Sequence, residues 1–464
     1  MNAYTTSATL QATHAEHAAS DIAAHLHPFT NLATHPSVGP MVITRGDGVF
    51  VEDDQGRRYL EAMSGLWCAS LGFSNARLAS AGSAALHTLP NYHTFSHRSN
   101  PAAIELAEKL LSIAPVPMSK VFFANSGSEA NDTAVKLVWY YHNAIGKPAK
   151  KKILSRKNAY HGVTVAAASL SGLVNNHRDF DLPIDRILHV DCPHHYRFGL
   201  PGESEEDFAT RLADALEQRI LEEGPDTVGA FIAEPLMGAG GVIVPPATYF
   251  EKVQRVLRKY EVLLIADEVI CGFCRTGEMF GSTTFGMQPD LLTCAKALSS
   301  GYVPISAVMV NETVMTALAA NSGKIGIFGH GYTYSGHPVS CAVALETLRI
   351  YEEEEVLQHV QSLAPRFQQG LRSFAGRPLV GEVRGIGLIG AIELAANPAE
   401  RQPFDPARKV GARMAQLALE QGLIVRAMGD VVAFCPPLII TAQQVDDMFG
   451  RFGLAMGRLE QELA

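Results

Sequence analysis

The chain has 464 residues, of which 47% are hydrophobic and 18% are charged, a composition typical of a globular protein with a large core. Its net charge is −9 and no basic run is interleaved with aromatic residues, which argues against nucleic acid as a partner. No apolar stretch reaches membrane-spanning length, so no membrane segment is predicted. The first basic residue is Arg45. We therefore expect neither a secretory signal nor a transit peptide, and predict a cytoplasmic location.

The first 35 residues are polar and rich in histidine and alanine. The histidines are His14, His17, His25, His27 and His35. Because no cysteine or carboxylate partner is recognised at ligand spacing, the pattern predicts a solvated arm and helix and not a metal site.

Between residues 121 and 310, short apolar runs alternate with helical patterns such as 207–223. Strands that alternate with helices indicate an α/β domain with a mostly parallel sheet. The seven predicted strands are 121–124, 152–155, 187–190, 228–233, 262–267, 291–295 and 305–310.

After about residue 335 the pattern changes to that of a separate α+β domain. Gly385, Gly387 and Gly390 match the spacing of a dinucleotide fingerprint. That fingerprint requires a helix directly after the glycines, whereas the following "AIELA" alternates like a strand. Nucleotide binding at these glycines is therefore not predicted.

Seven cysteines are scattered along the chain, as expected for reduced thiols. Cys271 and Cys274 have the spacing of a redox dithiol. No second cysteine or histidine pair lies nearby to complete a zinc site. The favoured interpretation is two separate cysteines in a turn, with a redox pair as the alternative.

A turn of small residues follows the first predicted strand of the sheet. Ser126 and Glu129 have the spacing of a capping box, and Gly127 and Ser128 lie between them. Such a turn at a helix N-terminus presents backbone N–H groups and the positive end of the helix dipole. It is a candidate phosphate site, although many α/β turns contain Gly and Ser for geometry alone.

Two further groups stand at predicted strand ends, where open α/β sheets bind ligands. Asp267 and Glu268 follow a wholly apolar run, and a buried carboxylate needs a partner. Asp267 either pairs with a structural arginine, such as Arg275, or faces a cationic ligand atom. Lys296 is the only charged residue between 291 and 310, and an ammonium in such surroundings favours loss of its proton.

Pyridoxal 5'-phosphate (PLP) is a cofactor that uses all three features. It carries a phosphate, a ring nitrogen that works best when protonated, and an aldehyde that condenses with an amine. Asp267 is the candidate partner of the ring nitrogen. Lys296 is the candidate Schiff-base lysine.

The motifs around these residues resemble the class III, or omega-type, aminotransferases. "LLIADEVICGFCRTG" followed by "PDLLTCAKALSSGYVPISAV" is similar to the family signature. "FFANSGSEANDTAVKL", "AYHGVTVAAASLSG", "AEPLMGAGGVIVPP" and "HGYTYSGHPVSCAVAL" extend the similarity over most of the chain, and the amine:pyruvate transaminases are the branch it resembles most.

The resemblance implies PLP fold type I, with a large domain around a seven-stranded, mostly parallel sheet and a small α+β domain. The implied divisions are 1–75 for the N-terminal arm and part of the small domain, 76–335 for the PLP-binding domain and 336–464 for the rest of the small domain. It also implies a homodimer with shared active sites, with a dimer of dimers as the alternative.

The implied reaction moves an amino group from a primary amine or omega-amino acid to a 2-oxo acid, pyruvate, giving L-alanine and an aldehyde or ketone. Lys296 and Asp267 are the implied catalytic residues, and no metal is implied. The implied cofactor contacts are Ser126, Gly127, Ser128, Tyr160, His161, Glu234, Asp267, Val269, Lys296 and Thr333, with Thr333 reaching the cofactor of the neighbouring subunit.

Four residues are implied to bind substrate: Trp67, Phe95, Tyr160 and Arg426. Arg426 would hold the carboxylate of the acceptor and swing aside for an uncharged amine. From the residues alone, a tryptophan such as Trp67 is more often core than pocket, and an arginine such as Arg426 is more often a surface charge.

The chain departs from the family pattern at three positions. Cys274 and Ala297 stand where the family usually has glycine, and Met237 replaces a frequent glutamine. These changes put loop geometry and donor preference in doubt but remove no catalytic group. Two other functions stay open: another fold-type-I enzyme, such as a decarboxylase or aminomutase, and a non-catalytic PLP-binding protein.

Overall fold

The structure, a computed structural model, describes residues 13–464. Its central sheet has seven strands, each corresponding to one of the apolar runs. They are β4 (Lys120–Ala124), β5 (Lys152–Arg156), β6 (Ile187–Val190), β7 (Val228–Ala233), β8 (Leu263–Asp267), β9 (Leu291–Cys294) and β10 (Ser306–Val310), in the order β4-β10-β9-β8-β7-β5-β6. The predicted number and positions of the strands are confirmed.

Strand β10 is the exception to the parallel direction. It runs antiparallel to both β4 and β9, whereas β9, β8, β7, β5 and β6 pair parallel to one another. Because β10 reverses the direction twice, β4 points the same way as the parallel set. The carboxyl ends of six strands therefore lie along one edge of the sheet.

An N-terminal segment precedes this sheet. Its elements are α1 (His14–Ala24), α2 (His35–Val38), β1 (Ile43–Asp47), β2 (Phe50–Asp53), β3 (Arg58–Glu61), α3 (Ser64–Trp67), α4 (Ala76–Thr88) and α5 (Pro101–Ile113). The predicted arm helix is present from residue 14, and residues 1–12 of the predicted arm lie outside the described residues. The expectation that the arm histidines lack carboxylate partners is wrong, because Asp54 contacts His14 and Asp21 contacts His27.

Helices surround the central sheet and fill the second half of the chain. They are α6 (Gly127–Ala144), α7 (Val165–Leu170), α8 (His195–Phe198), α9 (Glu205–Glu223), α10 (Tyr249–Lys259), α11 (Gly281–Thr284), α12 (Glu312–Ile325), α13 (Pro338–Glu353), α14 (Val356–Arg372), α15 (Val410–Glu420) and α16 (Ala442–Leu463). The helix α9 was predicted from its apolar spacing, and it buries that face through Phe208, Leu212 and Leu216.

The C-terminal part contributes strands to two small sheets. Strands β11 (Val380–Ile386), β12 (Ile389–Leu394), β14 (Arg426–Met428) and β15 (Val431–Phe434) form one sheet in the order β11-β12-β15-β14. The remaining strand, β13 (Leu423–Ile424), pairs parallel with β3 and completes the sheet β1-β2-β3-β13. The two ends of the chain thus share a sheet, while the domain boundaries at 75/76 and 335/336 stay predictions.

The glycine triplet at 385–390 lies in the hairpin that joins β11 to β12. Gly385 pairs with Gly390 across the hairpin, and Gly387 occupies its turn with φ +56°. A Cβ atom on Gly387 would lie 2.4 Å from the carbonyl oxygen of Arg275, so the residue is glycine for close packing. A strand follows the glycines, which agrees with the interpretation that they are not a dinucleotide fingerprint.

Within residues 13–464, no helix combines the length and the apolar character needed to cross a membrane.

Candidate active site

The carboxyl edge of the central sheet carries most of the predicted site residues. Asp267 ends β8, Glu234 directly follows β7, and Lys296 begins a short 3₁₀ turn that follows β9. Tyr160 and His161 lie in the loop after β5. Because these strands are parallel neighbours, their ends bring the four loops to one rim.

Asp267 is 3% exposed and its carboxylate is held on both oxygens. Oδ2 accepts a hydrogen bond from the Asn131 side-chain amide at 2.8 Å and lies 2.7 Å from His161 Nδ1. Oδ1 accepts one from the Val269 backbone N–H at 3.0 Å. The alternative of a pair with Arg275 is wrong, because that guanidinium donates to the carbonyl oxygens of Leu388 and Pro436.

Asn131 was not predicted from the sequence. It lies on α6 and is fully buried. Its Nδ2 also donates to the His161 carbonyl at 2.7 Å, and its Oδ1 accepts from the Thr293 hydroxyl at 2.9 Å. Asn131 therefore links the ends of β8 and β9 to the loop that follows β5. A polar residue beside Ala130 on the apolar face of a helix was the available indication, because a buried amide needs partners.

Lys296 is partly buried beside this carboxylate. Burial lowers the pKa of Lys296, and the nearby carboxylate of Asp267 acts in the opposite direction. Its backbone has φ +47°, an uncommon conformation for a residue with a side chain. A lowered pKa and an uncommon backbone conformation are both typical of a lysine that reacts, and not of one that only carries a charge in solvent.

The N-terminus of α6 forms the predicted small-residue turn. The Ser126 hydroxyl accepts a hydrogen bond from the Glu129 N–H at 3.2 Å. The reciprocal half of the predicted capping box is absent, since the Glu129 carboxylate accepts from the backbone N–H of Asn125 at 2.8 Å instead. The helix is therefore capped, and the carboxylate reaches one residue further back than the spacing predicted.

Close contacts require glycine at two places around this turn. A Cβ atom on Gly127 would lie 3.1 Å from the Val269 side chain, and one on Gly162 would lie 2.4 Å from Ser128 Oγ. Gly162 also has φ +131°. The turn thus packs directly against the loops that follow β8 and β5.

Glu234 fixes the loop that carries Tyr160. It is 3% exposed, and its carboxylate accepts from the Tyr160 backbone N–H at 3.0 Å and the Gly238 N–H at 2.9 Å. Burial raises the pKa of Glu234. The Glu234 carboxylate thus holds two backbone N–H groups at the rim, and within the described part of the chain no arginine or lysine forms an ion pair with it.

Arg426 lies at the start of β14 and faces the same region. Burial lowers the pKa of Arg426, and the Tyr160 phenol is near enough to oppose that change. Among the described residues, no carboxylate is near enough to raise its pKa. Arg426 is therefore a partly buried guanidinium beside the rim that lacks a charge partner.

Trp67 is 3% exposed and belongs to a buried cluster with Ile270, Ile389 and Ala433. Ala433 is the cross-strand partner of Arg426. Trp67 is therefore part of the core, and its role in substrate binding stays a prediction.

Phe95 and Thr333 lie in exposed loops, and the loop of Thr333 contacts the first turn of α6 because the Tyr332 hydroxyl donates to the Glu129 carbonyl at 3.1 Å. Phe95 is 44% exposed and Thr333 is exposed. Their loops touch, since the Thr94 hydroxyl donates to the Ser335 carbonyl at 3.1 Å. Described contacts do not bring Phe95 together with Trp67.

The three departures from the family pattern are all buried. Cys274 has φ +72°, a conformation in which glycine is favoured. Met237 packs with its sulfur 3.9 Å from Cys192 Sγ, and the Ala297 carbonyl accepts from the Tyr351 hydroxyl at 2.7 Å.

Cys271 and Cys274 are separate buried thiols in the turn after β8. Burial raises the pKa of Cys274 to about 12 and raises that of Cys271. Thiols held protonated in this way are poor nucleophiles. The interpretation as two unlinked cysteines is confirmed.

The residues of the rim fit PLP. A helix N-terminus suits a phosphate, a buried carboxylate suits a protonated ring nitrogen, and an amine whose pKa is lowered by burial suits an aldehyde. The fold and the site together define a PLP-dependent enzyme of fold type I.

The family model described as "Aminotransferase class-III" matches residues 33–456. The chain belongs to the class III aminotransferases, a family that uses PLP.

Similar proteins carry two kinds of name. A gamma-aminobutyrate transaminase 1, mitochondrial, from Oryza sativa subsp. indica is 52% identical over 440 residues, which cover 95% of this chain and 85% of that protein. A protein named gamma aminobutyrate transaminase 1, mitochondrial, from Solanum lycopersicum is 50% identical over 439 residues, covering 94% and 85%. The crystal structure of the omega transaminase from Pseudomonas jessenii in complex with PMP has a TM-score of 0.95 and 58% identity, covering 96% of this chain and 98% of that one.

Proposed function

We propose that this aminotransferase moves an amino group from a primary amine or omega-amino acid to pyruvate, giving L-alanine and an aldehyde or ketone. The observation that supports the acceptor is Arg426, a partly buried guanidinium that lies near Tyr160 and has no carboxylate partner among residues 13–464. A guanidinium binds a planar carboxylate through two parallel hydrogen bonds. The carboxylate of a 2-oxo acid supplies the missing partner.

The named relatives support the donor class. γ-Aminobutyrate carries its amine on a terminal carbon, distant from its carboxylate, and is therefore an omega-amino acid. The Pseudomonas jessenii protein is named an omega transaminase. Both names fit a donor whose reacting carbon bears no carboxylate, and γ-aminobutyrate is a donor to test first.

When bound, PLP supplies an aldehyde for the amine and an electron sink for the carbon that carries it. Lys296 would hold the aldehyde of PLP, and its amine would move a proton at the reacting carbon of the substrate. Such positioned proton transfer contributes roughly 10²–10⁴-fold to the rate. Asp267 holds the proton on the ring nitrogen, and Asn131 and His161 keep its carboxylate in place.

The other rim residues position and enclose the reacting groups. Backbone and hydroxyl groups of Ser126, Gly127 and Ser128 bind the phosphate at the N-terminus of α6. Tyr160 and Val269 would pack against the ring of PLP. Glu234 keeps Tyr160 in place through its backbone N–H, and Trp67 closes the donor side.

A homodimer completes the site in this proposal. Phe95 and the loop that holds Thr333 form an exposed surface with Tyr92 and Tyr334, which are 44% and 57% exposed. Exposed aromatic groups in one patch are typical of interaction surfaces. Thr333 and Phe95 then serve the neighbouring subunit's site, and measurement of the molar mass in solution tests the dimer.

A cytoplasmic location stays a prediction from the sequence.

The test of the acceptor is Arg426→Ala in separate half-reactions. Single-turnover rates are measured for pyruvate with the amino form of the enzyme and for a carboxylate-free amine with the aldehyde form. Loss of a partner from a buried charge pair costs about 2–5 kcal/mol, so the pyruvate half-reaction is expected to weaken by that amount. The amine half-reaction is expected to change little.

Arg426→Lys is the matched variant, because it keeps the charge and loses the two-point geometry. It is expected to recover only part of the pyruvate half-reaction. Equal losses in both half-reactions would show that Arg426 supports the fold and not the acceptor. Carbon dioxide release from the donor, without alanine, would instead identify a decarboxylase.

A further inference from the structure

Four side chains of the N-terminal arm meet at one point. The Asp21 carboxylate lies 2.7 Å from His27 Nε2, 3.1 Å from His35 Nε2 and 3.3 Å from His25 Nδ1. The imidazole rings are close and tilted, with centroids 4.3 Å apart and planes at 46° for His25 and His27, and 4.2 Å apart and at 42° for His27 and His35. Three imidazoles thus surround one carboxylate.

The spacing suits a transition-metal ion. One ligand atom each from Asp21, His25 and His27 lies within 4.8 Å of the others. Zinc binds histidine nitrogen at about 2.0–2.1 Å, which puts neighbouring ligand atoms of a tetrahedral site roughly 3.3 Å apart. Side-chain rotations that shorten these distances would bring Asp21, His25 and His27 into a coordination shell. His35, whose Nε2 lies 3.1 Å from the Asp21 carboxylate, would supply a fourth ligand.

The cluster is also reachable from solvent. The exposed fractions of the side chains are 61% for His25, 23% for His27, 20% for Asp21 and 11% for His35. His25 forms the open side and His35 the closed one. An ion can enter without unfolding the arm.

A second group of three possible ligands is less suited to a metal ion. His194 lies with Glu382 and Glu393, but the Arg384 guanidinium contacts both of those carboxylates. A cation at that triad would have to displace a buried arginine. No arginine or lysine contacts Asp21 among the described ion pairs.

We propose that Asp21, His25, His27 and His35 form a binding site for one divalent transition-metal ion of the zinc type. Imidazole with a single carboxylate suits zinc, copper and nickel more than magnesium or calcium, which prefer oxygen ligands. This inference does not depend on the proposed amine donor or acceptor.

The ion would connect the C-terminal end of α1 to the start of α2. The intervening turn carries Leu26 and Phe29, which are 75% and 74% exposed. A metal that bridges Asp21 and His35 closes this turn and fixes where its two apolar side chains stand. A bound metal ion would stabilise the arm because it limits the conformations that the turn can adopt in the unfolded chain.

The experiment uses the full chain with PLP and without an added histidine tag, after treatment with a chelator. Zinc chloride is titrated by isothermal calorimetry, and cobalt chloride is titrated while visible absorption is recorded for tetrahedral coordination. One ion per chain is expected. Loss of a group that supports a metal ligand typically weakens binding 10–100-fold, so His27→Ala and Asp21→Asn are expected to weaken zinc binding by at least about 100-fold.

The matched control is the double variant His14→Ala/His17→Ala. These histidines lie in the same arm and contact Asp54 at 2.8 and 3.1 Å, so the control loosens the arm but leaves the site. It is expected to bind zinc like the unchanged protein. Asp21→Asn keeps the shape of the side chain, and circular dichroism verifies that it folds.

Three results would overturn the proposal. The first is no zinc binding by the unchanged protein. The second is binding that His27→Ala and Asp21→Asn leave intact. The third is binding that Cys68→Ser abolishes, since Cys68 is the partly exposed thiol of the chain and would then be the ligand.

Discussion

Two aspartate–histidine pairs have the same separation of 2.7 Å. His161 Nδ1 meets Asp267 Oδ2 at the rim of the central sheet, and His27 Nε2 meets Asp21 Oδ2 in the N-terminal arm. The side chains of the first pair are 0% and 3% exposed, and those of the second are 23% and 20% exposed. Equal distances therefore stand in very different surroundings.

The difference shows that burial and the remaining partners decide what such a contact does. Two further lone pairs of Asp267 accept hydrogen bonds from Asn131 and from the Val269 N–H, and removal of a buried partner is costly. Water can replace any partner of Asp21, so a surface contact contributes little to stability. The buried pair of His161 and Asp267 is therefore held in one arrangement. In the exposed pair of His27 and Asp21, a metal ion can replace the contact between the two side chains.

The largest effect is expected from Asp267→Asn. The variant keeps the shape of the side chain but removes the charge beside the ring nitrogen, so PLP binding is expected to weaken and turnover to fall by a factor of about 100 or more. Asp21→Asn is the matched change in the exposed pair and is expected to leave turnover unchanged. Steady-state kinetics on both variants makes the comparison. Near-normal turnover in the Asp267→Asn variant would show that Asp267 supports the fold and not the cofactor.

Glu268, the residue after Asp267, is expected to make the stability of the fold depend on pH. Burial raises the pKa of Glu268 to about 7 from 4.5, although its oxygens accept backbone N–H groups of Gly281 and Ser282. A raised folded-state pKa means that the folded protein binds the proton more tightly. The associated stability is present below pH 4.5 and is lost as pH rises through 7.

At about 1.36 kcal/mol per pKa unit, this loss amounts to roughly 3 kcal/mol. Urea unfolding at pH 5, 6 and 7 measures it, with Glu268→Gln as the variant that does not titrate. The variant is expected to be less stable throughout, because its amide faces a backbone N–H. Its unfolding free energy is expected to change less with pH. An unchanged pH slope would assign the effect to other groups, such as Glu61, whose pKa burial also raises to about 7.

A smaller effect is expected from Asn131→Ala. The change leaves the Thr293 hydroxyl without its acceptor and removes one donor from Asp267. An unsatisfied buried group costs about 1–3 kcal/mol, measured as a shift in the urea midpoint, and PLP affinity is expected to fall as well. Asn143→Ala removes an exposed amide from the same helix and serves as the control. Equal stability of the two variants would contradict the role given to Asn131.

Much of the central sheet could be predicted from the sequence because its strands are buried on both faces. Strands β7 and β8 are buried at every position, and a continuous apolar run records that burial directly. The direction of β10 could not be predicted, since an apolar run does not encode which way a strand points. The antiparallel direction of β10 depends on the segment that joins it to β9, whose path the apolar run does not record.

The site was predictable where a residue breaks its local pattern. Lys296 and Asp267 are charges at the ends of apolar runs, and they were found for that reason. Asn131 was missed because it is one polar residue on a helical face assigned as apolar. The four-residue cluster of the arm was missed because His35 reaches Asp21 from a second helix, a contact that spacing along the chain does not record.

The assignment of Lys296 is the central claim, and borohydride reduction followed by peptide mapping tests it most directly. Reduction of the protein with bound PLP is expected to attach the cofactor covalently to the peptide that contains Lys296. Lys296→Ala is expected to lose this attachment and its turnover while it keeps its circular dichroism spectrum. Attachment to another lysine, or turnover that survives in Lys296→Ala, would contradict the account.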